Sequence, residues 1–447
     1  MKLLAKSLLH FVALLLALGV AALAVASLPW VKPRPAAAPR IAAIARGAGP
    51  LHAGVGAVPI EVPLGAPIAG FPHLGYRSDG AEPVSARALV LSAGQARVAI
   101  VSAELLLVPD TLREAVLARV RDLPLTGVVV TATHTHAGPG GYYENLPAER
   151  VGLGPYDPRM RDLVANALAQ AVRRAFADVA PAELSVARGQ ATRLVRGRGG
   201  APPDGRLTVL RLARPGGRPL AEVAVFSAHA TTLGIRNRRI SGDWPGRFFA
   251  RGTHGVRFLL QGPIGDQRAV LPQALGPLTP DAYAAALDRE VAALAFGPRE
   301  PAPAFAWAAA DVPLPTPAPP IVPLPLRQAA TNVVNGMLPA DARVSALRLG
   351  PVLLVHVPGE VMHGLAARWR ELAGPDAELV SLADGYLGYV DEAERSGGAQ
   401  EHPERTYYGP ALAPALERGI ALVVGALREG EKEGSTPPAA RGSLARP

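Results

Sequence analysis

The chain has 447 residues, 49% of them hydrophobic and 19% charged, with a formal net charge of +9. That length supports one large domain or two ordinary ones, and that composition excludes a disordered chain. There is no cysteine, so disulfides, thiolate catalysis and cysteine-ligated metals are excluded, and a metal would have to be held by histidine, carboxylate or tyrosinate.

The positive charge lies on scattered arginines with no nucleic-acid-binding motif beside them, so nucleic acid is set aside as a partner. A basic surface favours anionic membranes or acidic ligands; the plainer reading is an arginine-rich composition. Lys2 and Lys6 precede an uncharged run, 7–31, dense in Leu, Ala and Val. It exceeds the roughly 20 residues that a membrane-spanning helix needs, and the preceding positive charges leave the N-terminus in the cytoplasm and send the rest across. Ala24-Val25-Ala26 offers a small-x-small cleavage site, so residues 1–31 read as a signal peptide or as an uncleaved anchor. The main body is thus expected to be extracytoplasmic, either membrane-anchored or secreted and periplasmic.

Residues 32–53, rich in Pro and Ala, read as a tether, 54–429 as the main domain, and 430–447 as a disordered tail. Runs of Val, Ile and Leu predict strands at 87–92, 96–102, 127–133, 207–212, 222–228, 256–261, 345–349, 352–357 and 378–382. Amphipathic spacing predicts helices at 110–122, 157–175, 280–296, 360–372 and 412–428. The proline-rich segment 312–326 reads as a loop or edge excursion. Mixed strand and helix order implies an α/β fold, with layered mixed sheets, flanking helices and a site at strand ends. Nothing in the sequence sets an oligomeric state.

Four segments carry the candidate chemistry. The first is an apolar run into Thr133-His134-Thr-His136-Ala-Gly-Pro-Gly-Gly141. Residues two apart on a strand share a face, so His134 and His136 can converge on a metal; the plainer reading is a hydrogen-bonded core pair. His229 ends a second apolar run before the polar loop that holds Ile240-Ser-Gly-Asp243; alone, it reads equally as a satisfied buried histidine. The third segment is Val355-His356-Val-Pro358-Gly-Glu360, where Glu360 falls at the start of the expected helix and the dipole favours a carboxylate. His356 reads as core and His363 as facing along the helix. The fourth, Asp384-Gly-Tyr386-Leu-Gly-Tyr389-Val390, holds two tyrosines that often simply pack.

Taken in order along most of 54–410, these segments resemble the neutral/alkaline non-lysosomal ceramidase family, N-terminal catalytic domain only. The resemblance rests on Thr133-His-Thr-His-Ala-Gly-Pro-Gly-Gly141, on His229 before Ile240-Ser-Gly-Asp243, on Pro358-Gly-Glu360 and on Gly385-Tyr-Leu-Gly-Tyr389-Val. It implies that 54–429 is a catalytic domain holding Zn²⁺ through His134, His229, Glu360 and Tyr389, and that His136 acts beside the metal on the substrate carbonyl. A tyrosine such as Tyr386 is then expected to donate to a forming oxyanion. The implied reaction is hydrolysis of the N-acyl amide of ceramide or a related lipid-like substrate.

There are departures from the family pattern. Arg268, in Gln261-Gly-Pro-Ile-Gly-Asp-Gln-Arg268, stands where the family carries its catalytic serine, so no serine-dependent step carries over; Arg268 reads either as a catalytic replacement that hydrogen-bonds a substrate anion or as an exposed loop residue. A second family tyrosine falls near Glu401 or His402 and is not matched, and the family's catalytic arginine aligns loosely with Arg196 or Arg198, Arg196 being taken as the catalytic candidate; the C-terminal immunoglobulin-like domain of longer members has no counterpart. The alternatives are a degenerate lipid- or glycan-binding homologue, and a metal-dependent esterase or phosphatase.

Overall fold

The computed structural model describes residues 2–28, 30, 32–35, 37–71, 78–318, 324–392 and 406–434. Helix α1 (Lys2–Ala26) is followed by strands β1 (Arg40–Gly47), β2 (His52–Pro59), β3 (Ser85–Ala93) and β4 (Ala96–Ala103). Next come α2 (Asp110–Val120), β5 (Gly127–Ala132), α3 (Pro158–Ala177), β6 (Glu183–Gln190), β7 (Val195–Gly197), β8 (Arg206–Ala213) and β9 (Pro219–Phe226). The chain continues through α4 (Asp243–Ala250), β10 (Val256–Gln261), β11 (Gln267–Ala269), α5 (Pro280–Ala292), β12 (Phe305–Pro313) and α6 (Leu324–Val334). The last elements are β13 (Asp341–Leu349), β14 (Val352–His356), β15 (Glu360–Val361), α7 (His363–Ala373), β16 (Ala377–Val380), β17 (Tyr389–Val390) and α8 (Leu412–Gly434).

Most of these strands, buried on both faces, assemble into three sheets around one shared apolar core, while β7 pairs with β11 and β15 with β17 in separate two-stranded ladders. The first sheet runs β5-β4-β3-β2 with a short edge at Ala180–Pro181, the second β10-β9-β8-β6, and the third β1-β12-β13-β14-β16. On β3, Leu89 and Leu91 face the shared core while Ala88 and Val90 face outward beneath helices. The second sheet sends Leu210, Val223 and Phe258 to the same centre, and the third sends Trp307, Leu347 and Leu354. The outer face of the first sheet is closed by α2 and α3, that of the second by α4 and α5, and that of the third by α7 and α8. This is the α/β class expected, with mixed sheets and flanking helices.

Helix α3 shows how local sequence sets this packing. Asp157 caps it by accepting from the Arg159 N–H at 2.9 Å, and a proline occupies the first turn. Its buried stripe of Val164, Leu168, Ala171 and Ala175 then lies across β2. At Gly56 a Cβ would sit 2.2 Å from the Ala171 carbonyl oxygen, so only glycine lets strand and helix come this close.

Each sheet holds one parallel pair: β4 with β5, β9 with β10, and β14 with β16. The loops leaving the C-terminal ends of β5, β9, β14 and β16 carry all four candidate segments. Gln261 ties them together, its amide donating to the carbonyls of Thr133 (2.7 Å) and Ala228 (3.1 Å) while its backbone carbonyl accepts from Ser381 N–H at 2.8 Å. Asp384 adds a second stitch, accepting from Val130 N–H at 2.9 Å and pairing with Arg113 at 3.0 Å.

Four expectations change. Residues 40–47 of the supposed tether form β1, paired antiparallel with β12, and 52–53 lie in β2; alanine-rich sequence of low β-propensity hid them. Glu360 does not open a helix: it lies in β15, and α7 begins at His363 after Met362 takes an extended conformation. Of the 312–326 excursion, 312–313 end β12 and 324–326 begin α6, while 319–323 lie outside the described residues. In the supposed tail α8 runs on to Gly434, and 435–447 also lie outside them.

Among the described residues one helix, Gly409–Glu429, is long and apolar enough to cross a membrane, but half of that stretch is buried, with Leu416, Ile420 and Val423 in the core. Val12–Ala26 is a shorter apolar helix.

His356 is a core residue of β14, tilted against Trp307 and within 3.3 Å of the Ser345 hydroxyl. Burial lowers its pKa from 6.5 to about 3, against a smaller opposing effect of Ser345. Its neutral state therefore stabilises the fold fully above the unfolded value, and that contribution is lost as pH falls from 6.5 towards 3. In urea unfolding across that range, His356→Gln is expected to flatten the acid limb by about 1.4 kcal/mol per pH unit. An unchanged slope would show that this imidazole takes up no extra proton on unfolding.

Candidate metal site and cavity

Strand β5 ends at Ala132, and His134 takes a left-handed conformation with φ 61°. His134 and His136 therefore converge through a kink, not through strand alternation. For a residue with a Cβ this backbone is strained by about 1–3 kcal/mol and persists only where its surroundings enforce it. Here Thr133 N–H donates to Ala103 and Thr135 N–H to Leu105 on one side, and His136 N–H donates to Ala230 on the other. The result places His134, His136 and His229, all buried, with ligand atoms within 4.8 Å of one another.

The hydrogen bonds assign the ring nitrogens. His134 Nδ1 lies 2.8 Å from the Leu106 carbonyl and His229 Nδ1 3.0 Å from that of Gln267, so both Nδ1 atoms donate. Burial, chiefly, lowers His229 to about 4, with nearby Arg198 and His134 adding to the effect and Glu360 opposing it. A neutral ring donating from Nδ1 presents a lone pair at Nε2. His229 Nε2 lies 3.1 Å and His134 Nε2 3.3 Å from the same Oε2 of Glu360. Burial alone would raise the Glu360 carboxyl, yet the two histidines hold it well below the ordinary carboxylate range. With both Nδ1 atoms turned to carbonyls, the two Nε2 atoms and Oε2 converge on one point, where a shared proton or, in its place, a divalent cation satisfies them. Two imidazoles and a carboxylate are a donor set that suits a divalent ion of the Zn²⁺ type.

Tyr386 donates to Glu360 Oε1 at 2.7 Å, which leaves Oε2 turned to the histidines. Tyr389 is buried and shares a rung with Glu360 in the parallel β15–β17 pair, so the two side chains leave on the same face. His136 Nε2 stands 3.2 Å from His134 Nε2, with the ring of Phe71 at 5.0 Å. The arginines divide differently. Arg196 and Arg268 sit opposite each other on β7 and β11, both exposed, and neither is among the described residues lining the cavity. The backbone of Arg268 bridges to His229, but it is Arg198 whose charge acts on the His229 ring. His363 stands apart, its backbone N–H donating to Asp266 at 3.0 Å, and Glu401 and His402 lie outside the described residues.

Above the site lies a cavity of about 260 Å³. His134, His136, Glu360 and Tyr386 line it together with Leu106, Leu107, Leu153, Val334 and Leu338. Tyr143, Asn145 and Tyr407 add polar groups that the sequence motifs did not single out, because they reach the cavity only through packing between loops.

A mixed-sheet fold with a histidine–carboxylate cluster beneath an apolar cavity defines the class: an α/β protein with a candidate metal site at the base of that cavity. Within that class the chain is similar to the neutral/alkaline non-lysosomal ceramidases, whose N-terminal family model matches residues 61–199. It is 31% identical over 222 residues to the neutral ceramidase of Mycobacterium tuberculosis, covering 42% of this chain and 34% of that protein. It is 28% identical over 131 residues to neutral ceramidase B of Dictyostelium discoideum, covering 26% of this chain and 18% of the relative. The matches therefore span about a third or less of these relatives. The crystal structure of neutral ceramidase from Pseudomonas aeruginosa superposes with a TM-score of 0.74 at 18% identity, over 85% of this chain and 75% of that one. A ceramidase structure complexed with C2 gives 0.71 at 19% identity, over 85% and 76%. At that identity the likeness is one of fold.

Proposed function

We propose that this protein is a zinc-dependent amidohydrolase that cleaves the N-acyl amide of ceramide or a closely related lipid. The observation that carries the reading is the convergence of His134 Nε2, His229 Nε2 and Glu360 Oε2 at the base of an apolar cavity. These three residues, with Tyr389, would hold the ion. When bound, Zn²⁺ supplies a Lewis acid that lets water act as a nucleophile near neutral pH and polarises an amide carbonyl. His136 lines the cavity beside His134 and orients the scissile carbonyl, while Tyr386, whose single hydroxyl proton is given to Oε1, holds the Glu360 carboxylate in place. Leu106, Leu107, Leu153 and Leu338 receive the acyl chain and exclude water from it. Arg268 has no part in this scheme; its exposed position beside Arg196 leaves the cavity open, which weighs against a degenerate, non-catalytic homologue. We assign the catalytic domain to residues 40–434, so that it includes β1, all of β2 and all of α8, and place it outside the cytoplasm, following Lys2 and Lys6 before the apolar run.

The test is fatty-acid release from an N-acyl sphingosine by the purified full-length chain before and after chelation. We expect turnover to vanish on chelation, to return with added Zn²⁺, and to exceed that of the matched ester and phosphate monoester. Full zinc loading without metal-dependent cleavage of any N-acyl amide would overturn the reading.

A further inference from the structure

The mouth of the cavity is tied directly to the N-terminal helix. Asn332, in α6, donates its side-chain amide to the carbonyls of Ala26 (2.8 Å) and Leu28 (2.7 Å), just where α1 ends. Six residues further on, Arg34 donates to the carbonyls of Asn335 and Leu338 at 2.9 and 3.1 Å, and its backbone N–H donates to the Thr316 hydroxyl at 2.7 Å. Across the mouth Asn145 donates to the Met337 carbonyl at 3.0 Å, joining the 145–153 loop to the same segment. Val334, Met337 and Leu338 on one side and Pro147, Ala148 and Val151 on the other line the entrance.

The outer surface of this stitched rim exposes large apolar side chains, with the charged Glu144 and Arg150 exposed beside them. Val333 is 61% exposed, Leu146 54%, Val151 48% and Met337 37%, and Trp30, at the foot of α1, is 65% exposed. Large side chains clustered on one rim mark a surface made for something other than water. Helix α1 identifies the occupant, because its described leucines and valines are exposed along Val12–Ala26 and a bilayer is the medium that covers such a helix. A helix in the bilayer whose foot is hydrogen-bonded to the rim holds that rim at the membrane surface.

We propose that the cavity mouth, through Val333, Leu146, Val151 and Met337, is seated in the lipid interface, so that an acyl substrate passes from the bilayer into the cavity without crossing water. The purpose of this arrangement rests on the lipid-hydrolase reading, but its position can be measured without any turnover.

The absence of cysteine makes the measurement direct. Val333→Cys, Leu146→Cys and, as an exposed reference outside the rim, Thr253→Cys would each carry an environment-sensitive fluorophore. The full-length chain is reconstituted in vesicles of equal parts phosphatidylcholine and phosphatidylglycerol. Rim labels are expected to shift to the blue and to be quenched by nitroxide-labelled acyl chains, and the Thr253 label to do neither. Rim labels that remain as water-exposed as the reference, with α1 embedded, would overturn the proposal whatever the activity. In parallel, the double variant Val333→Asp with Leu146→Asp is expected to lose about tenfold in turnover of vesicle-borne long-chain substrate. Hydrolysis of a soluble short-chain amide should be unchanged. Equal loss on both substrates would point to damage in the cavity and refute interfacial seating.

Discussion

Replacing Glu360 by glutamine is expected to empty the metal site and abolish turnover. Glu360 is the only anionic group among the described side chains that meet His134 and His229, it is fully buried, and one oxygen faces both Nε2 atoms. A glutamine oxygen keeps the shape but gives up the charge, and an NH₂ turned inward would aim protons at the incoming cation. Alterations to groups that merely orient ligands already cost about 10–100-fold in metal affinity, so loss of the charged ligand should exceed that. Tyr386→Phe provides the graded comparison: it removes the hydroxyl on Oε1 while leaving Oε2 in place. About a tenfold loss of affinity, with a metal still detectable, is the expected result there. Elemental analysis and zinc titration read both variants. A Glu360→Gln protein that binds one equivalent of zinc and turns over normally would sink the site assignment.

Gly70→Ala should separate metal binding from catalysis. Gly70 has φ 120°, which no side chain adopts without strain, and a Cβ there would lie 2.4 Å from His136 Cα and 2.6 Å from His136 Cβ. The His136 backbone has to retreat, whereas His134, His229 and Glu360 are held from other directions by Leu106, Gln267 and Tyr386. Zinc content is therefore expected to stay whole while kcat/KM falls about a hundredfold, the scale of a misplacement near 1 Å. Thermal melting should also drop, through backbone strain of about 1–3 kcal/mol. Parallel loss of zinc and activity would mean that His136 supports the ion itself; retention of both would remove it from the reaction.

The comparison of sequence with structure separates two kinds of information. Apolar runs placed β4, β10 and β14 nearly to the residue, because those strands are buried on both faces. It missed β1, whose alanines bury little and lie at a sheet edge. His134, His136 and His229 could be picked out as residue types following apolar runs. The kink that joins the first two could not, since a left-handed histidine is selected by bonds to Ala103, Leu105 and Ala230 and by no property of its own. The same holds for the arginines: Arg196 and Arg198 are near neighbours in sequence, and only the pairing of β7 with β11 turns Arg196 to solvent and leaves Arg198 near His229.

What the sequence determined by itself was the chemical inventory: no thiol, a few histidines at strand ends, paired tyrosines, and a charged start before an apolar run. Only the tertiary structure decided which of these meet. The meeting point lies where three sheets, each ending in a parallel pair, direct their C-terminal loops to one place, and no single segment encodes that convergence. Side-chain type is a local property of the chain, whereas a shared Oε2 between two histidines nearly a hundred residues apart depends on the packing of a core that all three sheets build together.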